Sequence, residues 1–132
     1  MSSEKPGELG YTDFGAVIGY ERKLPEPGVA VLELKLEQHH CNRLGTIHGG
    51  VIMAMLDAAG MWAGSDSGKA PVCPTVSISC SFLKAVTLAK FQTVCARAEI
   101  TRKGRRLYFA NVTAYAGSEI VATAQGVYAM PS

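Results

Sequence analysis

One apolar run with a single charge, Val51 to Trp62 around Asp57, constrains the fold more than any other feature of the chain. Its apolar side chains cover every side of a helical wheel, which predicts a helix that is buried on most of its surface. The run is too short to cross a bilayer, because a membrane-spanning helix needs about 20 apolar residues. A chain of 132 residues is long enough to enclose such a helix in one core.

Period-two alternation on both sides of this helix predicts strands. Residues 30–37 alternate apolar with polar side chains, as a half-buried strand does, and residues 38–50 form an irregular segment. Phe14 to Tyr20 is compatible with a strand or a helix. Four more strands are predicted after the helix: Val76–Phe82, Val94–Thr101, Leu107–Ala116 and Ile120–Met130. The last three have hairpin spacing, so we expect an α+β fold in which a curved antiparallel sheet wraps around one long central helix.

Composition and the N-terminal residues indicate the domain bounds, the cellular location and the partners of the protein. Residues 1–13 are polar and predict a flexible N-terminal segment, which leaves residues 14–132 as a single domain. No apolar signal core precedes them, which predicts a cytoplasmic protein. The four cysteines form no C-x-x-C pair and are predicted to be free, mostly buried thiols. A net charge of +2 indicates neither nucleic acid nor an anionic membrane as a partner.

Asp57 is the most informative side chain, because a lone carboxylate in a buried helix is costly and must find partners. It is a candidate base or nucleophile, and it is equally compatible with a structural carboxylate bonded to a loop or a second subunit. Gly49 and Gly50 stand where the helix begins, and the first N–H groups of a helix are unpaired donors that can bind an oxyanion. The alternative is that the two glycines only permit a tight turn.

The spacing of Gly49 and Asp57 along the helix limits any site that uses both residues. Gly49 and Asp57 are eight residues apart, which corresponds to about 12 Å along a helix axis. An aspartate side chain does not span that distance, so one helix cannot bring both groups to one reacting atom. Two antiparallel helices from two chains can, and a catalytic role for both residues therefore predicts a homodimer.

The candidate residues follow one order along the chain: Asn42, five residues, His48-Gly49-Gly50, six residues, Asp57, and then Thr75. This order resembles the hotdog-fold acyl-CoA thioesterases, and most closely the PaaI-like type of the phenylacetate pathway. The similarity covers most of the chain, from about residue 28 to residue 130. It implies a sheet wrapped around a long helix, paired into homodimers that often form homotetramers.

The resemblance also implies a role for each matching residue. The Gly49 N–H would polarise the thioester carbonyl, and Asn42 would orient that carbonyl or the attacking water. His48 would shape the loop between them. Asp57 from the partner chain would act as general base or as nucleophile, and Thr75 would help to hold the water or the carboxylate.

Substrate contacts are less well defined. Residues 84–106 carry seven basic side chains and one acidic one, and arginine and lysine suit the phosphates of coenzyme A. A solvated basic hairpin is the alternative. Ala85 and Ala89 depart from a proline and a glycine that border the coenzyme A channel in the family. The candidate substrate-binding residues are Gly50, Met61, Lys84, Arg102, Lys103 and Arg105.

The resulting functional prediction is hydrolysis of a small aromatic or a medium- or long-chain acyl-CoA. No cofactor is expected, because coenzyme A is part of the substrate. The alternatives are an enoyl-thioester hydratase or dehydratase and a non-catalytic acyl-CoA binding protein of the same fold. We predict no metal site, because the adjacent His39 and His40 point to opposite faces of an extended segment and no second cluster completes a ligand set.

Overall fold

The computed structural model describes residues 13–65 and 73–130, so all of the predicted flexible segment except Asp13 lies outside the described residues. The helices are α1 (Phe14–Ile18) and α2 (Gly49–Ala63). The strands are β1 (Glu21–Glu26), β2 (Val29–Lys35), β3 (Thr75–Phe82), β4 (Thr93–Lys103), β5 (Leu107–Ala116) and β6 (Glu119–Ala129). A 3₁₀ turn, Gln38–His40, lies between β2 and α2.

The six strands form one antiparallel sheet in the order β1-β2-β4-β5-β6-β3. Helix α2 packs against one face of this sheet, the inner face, where it contacts β2, β3, β4, β5 and β6. Alternate strand residues face the helix and are buried, and many are alanines, so the sheet can approach α2 closely: Ala30, Leu32, Leu34, Val94, Ala96, Ala98, Val112, Ala114, Ala122 and Ala124. The predicted α+β architecture, an antiparallel sheet around one long helix, is confirmed.

Two elements before α2 differ from the sequence prediction. The undecided segment around Phe14 is the short helix α1, which Asp13 caps by accepting the Ala16 N–H at 2.7 Å. Strand β1 was missed, because Pro25 lies within it and proline usually marks a turn. The proline is accommodated because β1 pairs only with β2 and forms one edge of the sheet.

Strand β3 forms the other edge, since β6 is its one neighbour in the sheet. The predicted burial of α2 on most of its surface is wrong for the single chain, because one sheet covers only one side of a helix. Its fully buried residues are Ile52, Met55, Leu56, Ala59, Gly60 and Ala63. The rest of the helix is partly or fully exposed, on a face next to the free edge of β3.

The remaining features of the fold are the lengths of the helices, the cysteines and the end of α2. Within residues 13–65 and 73–130, no helix is long and apolar enough to cross a membrane. None of the four cysteines is in a disulfide, as predicted, whereas the prediction that most of them are buried is wrong, because only Cys73 is buried. Gly64 caps α2 by donating its N–H to the Met61 carbonyl at 3.1 Å.

Candidate active site

Asp57 lies on the exposed side of α2, and a residue of the sheet holds its carboxylate. The Thr75 hydroxyl donates a hydrogen bond to Asp57 Oδ1 at 2.7 Å. Asp57 is therefore a half-buried carboxylate with one oxygen fixed, whereas the sequence predicted a buried one. The two residues are 18 positions apart in the chain, Asp57 on α2 and Thr75 at the start of β3.

A β-bulge turns Thr75 toward the helix. Along β3 the regular alternation places Ser77 on the outer face and Ile78 on the inner face, so a continuous pattern would place Thr75 outward. The register shifts between Thr75 and Ser77, which brings Thr75 opposite Tyr128 of β6. Bulges commonly re-aim a side chain next to a site, and this one directs the Thr75 hydroxyl to Asp57.

The first turn of α2 leaves one free donor. His48 caps the helix, and its Nδ1 accepts the Gly50 N–H at 2.8 Å. The Gly49 N–H has no acceptor among the residues that the structure describes, and Gly49 is exposed. Gly50 is required by this cap, because a Cβ there would lie 2.9 Å from His48 Nδ1. Of the two glycines, Gly49 is therefore the one with an N–H available to a ligand.

The side chain of Asn42 closes the loop that precedes α2. Its Oδ1 accepts the backbone N–H groups of Leu44 at 2.9 Å and Thr46 at 3.2 Å, closing an Asx-type loop. The Ile47 N–H, which follows this loop, bonds to the Val86 carbonyl at 2.8 Å and ties it to the segment that carries Ala85 and Ala89. Only the amide NH₂ of Asn42 remains to contact a substrate.

His40 supports the loop before α2 and was not singled out from the sequence for that role. It is 2% exposed, its Nδ1 accepts the Glu37 N–H at 2.9 Å, and its Nε2 donates to the Ile18 carbonyl at 2.8 Å. Burial lowers the pKa of His40, so the ring is neutral. Its backbone carbonyl accepts the His48 N–H at 2.9 Å, which holds the cap of α2.

Two tyrosines beneath α2 were also missed. Tyr128 and Tyr108 are stacked with ring centroids 5.1 Å apart, and both are fully buried. The Tyr128 hydroxyl donates to the Asp57 carbonyl at 3.2 Å, and the Tyr108 hydroxyl donates to the Gly60 carbonyl at 2.9 Å. Gly60 is the sequence signal that could have found them, because a glycine inside a helix is unfavourable unless packing requires it.

Three titratable neighbours surround Asp57 and are neutral. Burial raises the pKa of Tyr20, Cys80 and Tyr128, and in each case the negative charge of Asp57 adds to the effect. Tyr128 lies on β6, Cys80 on β3, and Tyr20 between α1 and β1. These three groups therefore place no further negative charge next to the Asp57 carboxylate.

The seven basic side chains of residues 84–106 divide into two groups. Lys84 and Lys90 pair with Glu119, and Arg97 pairs with Glu99 at 3.0 Å. Arg102, Lys103, Arg105 and Arg106 lie at the turn between β4 and β5, and within the described residues none of them has an acidic partner. We call these four residues the basic turn.

Strand register locates the basic turn relative to Asp57. Lys103 is opposite Tyr108, Tyr108 is opposite Tyr128, and Tyr128 is opposite Thr75. Three strand spacings separate Lys103 from Thr75, or about 14 Å. Lys84 follows the far end of β3, about 23 Å or more from Thr75 at the rise of an extended strand. The predicted substrate-binding cations are therefore not one cluster within a single chain.

Met61 lies one helical turn after Asp57 on α2 and is partly buried against Tyr108 and Tyr128. This position is compatible with the predicted contact to a substrate and with core packing. Within residues 13–65 and 73–130, no group of three or more His, Cys, Asp or Glu side chains is arranged to hold a metal ion. The predicted extended segment at His39 and His40 is wrong, because both lie in the 3₁₀ turn with ring centroids 4.1 Å apart.

Comparison with known families identifies the chain. Residues 44–123 match the model of the thioesterase superfamily. The chain belongs to the thioesterase superfamily. The matched segment contains Gly49, Asp57 and Thr75, and it starts just after Asn42. The enzyme class predicted from the sequence, a thioester hydrolase, is confirmed.

Individual relatives agree with this assignment. A Pseudomonas aeruginosa protein named as an esterase is 29% identical over 102 residues, covering 76% of this chain and 75% of the relative. Acyl-coenzyme A thioesterase 13 of Mus musculus is 25% identical over 103 residues, covering 73% of this chain and 72% of the relative. The PaaI protein of E. coli, from the phenylacetic acid degradation operon, is similar in fold with a TM-score of 0.78 and 17% identity, covering 89% of this chain and 83% of that one. The resemblance to the hotdog thioesterases is confirmed, and the likeness to the PaaI structure is one of fold.

Proposed function

We propose that this thioesterase hydrolyses an acyl-CoA, with Asp57 as general base on water or as nucleophile and the Gly49 N–H as oxyanion donor. One observation carries the proposal. A carboxylate fixed by Thr75 and an N–H without an acceptor among the described residues lie on the same partly exposed helix, the N–H at its first residue and the carboxylate near its middle. The acyl group is a small aromatic or a medium- or long-chain group.

The positions of these two groups along β3 support a site shared between two chains. Asp57 is bonded to Thr75, the first residue of β3, and a Cβ at Gly49 would lie 3.7 Å from Phe82, the last residue of β3. A two-fold axis beside this free edge would pair β3 with its copy in antiparallel orientation. Gly49 of the partner subunit would then lie close to Asp57. The second chain would thus bridge the gap of about 12 Å that eight residues of helix impose within one chain.

Exposed apolar side chains next to that edge support the same homodimer. Val76 and Phe82 on β3, Leu83 just after it, and Met53 on α2 are 59%, 50%, 61% and 42% exposed. A neighbouring group of large exposed apolar side chains is typical of an interface. We expect the dimers to associate further into homotetramers, as is common for this fold.

The chemistry needs few groups because a thioester is already an activated acyl donor. In the general-base route, water attacks the carbonyl carbon and gives its proton to Asp57, while the carbonyl oxygen gains negative charge next to the Gly49 N–H. The carbon–sulfur bond then breaks, and the coenzyme A thiolate takes the proton from Asp57 to leave as a thiol. One oxyanion donor contributes about 10²–10³ in rate and general-base catalysis about 10²–10⁴. We expect no metal or other cofactor in this sequence of steps.

The basic turn supports coenzyme A as the thiol part of the substrate. Lys103 of the basic turn lies about 14 Å from Thr75, at the same end of the sheet, and the 3′-phosphate and pyrophosphate of coenzyme A need such donors at a distance from the thioester. In the proposed dimer, Lys84 of the partner subunit would approach the same end, because antiparallel pairing of β3 reverses its direction. A cytoplasmic location stays a prediction.

A thiol-release assay tests this function. The native protein is compared with Asp57→Asn on phenylacetyl-, benzoyl-, hexanoyl- and palmitoyl-CoA, with Glu99→Gln as the control. Glu99 is an exposed carboxylate on the outer face of the sheet, so its loss removes the same charge away from the site. We expect Asp57→Asn alone to lose activity. No thiol release by the folded native dimer would move the assignment to a binder or a hydratase.

A further inference from the structure

We propose that Tyr128 is a positioning residue, which holds the backbone of Asp57 in the place that catalysis requires. This inference rests on the proposed function. The Tyr128 hydroxyl donates to the Asp57 carbonyl at 3.2 Å, and the Thr75 hydroxyl donates to the Asp57 carboxylate at 2.7 Å. Thr75 and Tyr128 are direct partners across β3 and β6. One cross-strand pair therefore holds Asp57 at two points, one on the main chain and one on the side chain.

The tyrosine is a permanent donor at this position. It is fully buried, and burial together with the charge of Asp57 raises its pKa, so the hydroxyl keeps its proton at neutral pH. Its ring is fixed on one side by the stacked ring of Tyr108. A buried, immobile donor transmits the position of the sheet to the helix residue that it contacts.

The surrounding glycines make room for this contact. A Cβ at Gly60 would overlap the Tyr128 hydroxyl, and a Cβ at Gly126 would lie 2.5 Å from the edge of the ring. Gly60 lies within a helix and Gly126 within a strand, and glycine is less favourable than alanine in both kinds of element. Both positions thus accept a local cost that lets the Tyr128 ring lie under Asp57.

Tyr108 is a matched control because its surroundings resemble those of Tyr128 and its hydroxyl does not contact Asp57. It is equally buried, belongs to the same stacked pair, and donates its hydroxyl to carbonyls of the same helix, those of Gly60 and Met61. It makes no hydrogen bond to Asp57. Replacing either tyrosine by phenylalanine removes one buried hydroxyl from the same helix, and only one of the two hydroxyls contacts the residue that bears the catalytic carboxylate.

The test compares Tyr128→Phe with Tyr108→Phe in steady-state hydrolysis and in urea unfolding. We expect similar losses of stability, and a kcat about 10-fold to 100-fold lower for Tyr128→Phe alone, because a misplacement of about 1 Å at a reacting group can cost 10²-fold. The KM of both variants stays within about twofold of native, since the substrate-binding surface is untouched. A merely structural role would affect both variants alike, and an equal kcat loss, or a loss confined to KM, overturns the proposal.

Two further measurements keep the outcome separate from that of the proposed function. Gly60→Ala displaces the Tyr128 ring by overlap and should reproduce the loss of kcat; if this variant does not fold, Tyr128→Phe decides alone. Amide exchange at Met61, whose N–H bonds to the Asp57 carbonyl in the helix, should be faster in Tyr128→Phe than in Tyr108→Phe. If the native protein hydrolyses no thioester, the proposed function fails, and equal exchange in both variants would show independently that Tyr128 does not hold Asp57.

Discussion

Replacing Gly49 by proline removes the proposed oxyanion donor with little change to the fold. Gly49 is the first residue of α2, a position that proline favours because its N–H has no partner within the helix. The preceding residue, His48, has φ −60° and ψ 132°, which is the extended conformation that a following proline requires. Gly49 is not among the glycines with positive φ, so the ring meets no backbone conflict. We expect Gly49→Pro to unfold within about 1 kcal/mol of native.

The expected loss of activity follows from the single donor that disappears. Removing one oxyanion donor lowers kcat by about 10²–10³. Gly49→Ala is the control, because alanine keeps the N–H and its Cβ would be in ordinary contact with Phe82 at 3.7 Å. We expect alanine to lose less than about 10-fold in kcat, so the difference between the two variants isolates the N–H.

A mixture of two inactive variants tests whether the site is shared between chains. In a heterodimer of Gly49→Pro and Asp57→Asn, one of the two shared sites combines a native Gly49 from one chain with a native Asp57 from the other. Equal mixing with free exchange of subunits makes about half of the dimers heterodimers, so the mixture should recover about a quarter of native activity. The assay is thiol release from one acyl-CoA after refolding the variants together, with separately refolded variants as the blank.

The result that refutes this reasoning is specific. No recovery from a mixture that is shown to contain heterodimers would mean that each site uses Gly49 and Asp57 of one chain or does not use both. Full activity of Gly49→Pro would remove the Gly49 N–H from the mechanism, whatever the mixture does.

Three other predictions follow from the contacts. Thr75→Val should lower kcat about 10-fold by freeing the Asp57 carboxylate, and Thr75→Ser should restore it; equal rates for the serine and valine variants in the thiol assay would contradict this. Lys103→Gln combined with Arg105→Gln should raise KM for acyl-CoA about 10-fold with kcat unchanged, and the effect should shrink at high salt; a KM independent of both charge and salt would exclude the basic turn as the phosphate site. Burial lowers the pKa of His40 in the folded state below its unfolded value of 6.5, so the stability that it contributes is complete above that value and is lost as the pH falls through the folded pKa. Urea unfolding should therefore show a smaller loss of stability between pH 7.5 and pH 5.5 in His40→Gln than in native protein or in His39→Gln, and parallel losses in all three would refute it.

The fold was largely predictable because its signals are local. The apolar helix and the alternating strands β2, β4, β5 and β6 follow from periods of 3.6 and 2 residues, which backbone geometry imposes on any buried face. Strand β1 escaped because Pro25 is compatible with a strand only at a sheet edge, and an edge is a property of the assembled sheet. The burial of α2 was overestimated for the same reason, since its all-round apolar surface exceeds what one sheet covers.

The candidate site was predictable in its residue types and less so in its contacts. Asp57 stood out as a lone charge, and Gly49 as a residue at the start of a helix. The choice between Gly49 and Gly50 as the free donor depends on the His48 cap, which takes the Gly50 N–H. Asn42 closes its own loop with Oδ1, and that use of the side chain depends on a conformation that residue type does not specify.

The sequence by itself determined that a helix with one carboxylate lies against an antiparallel sheet, because burial patterns depend on residues that are close in the chain. Only the tertiary structure decided what surrounds that carboxylate. The bulge beside Thr75 reverses the face on which its hydroxyl lies, and the register of β6 places Tyr128 opposite it, 71 residues from the Asp57 carbonyl that it contacts. A one-residue change in register sends every following side chain to the other face, so such contacts are set by the assembled sheet and not by local pattern.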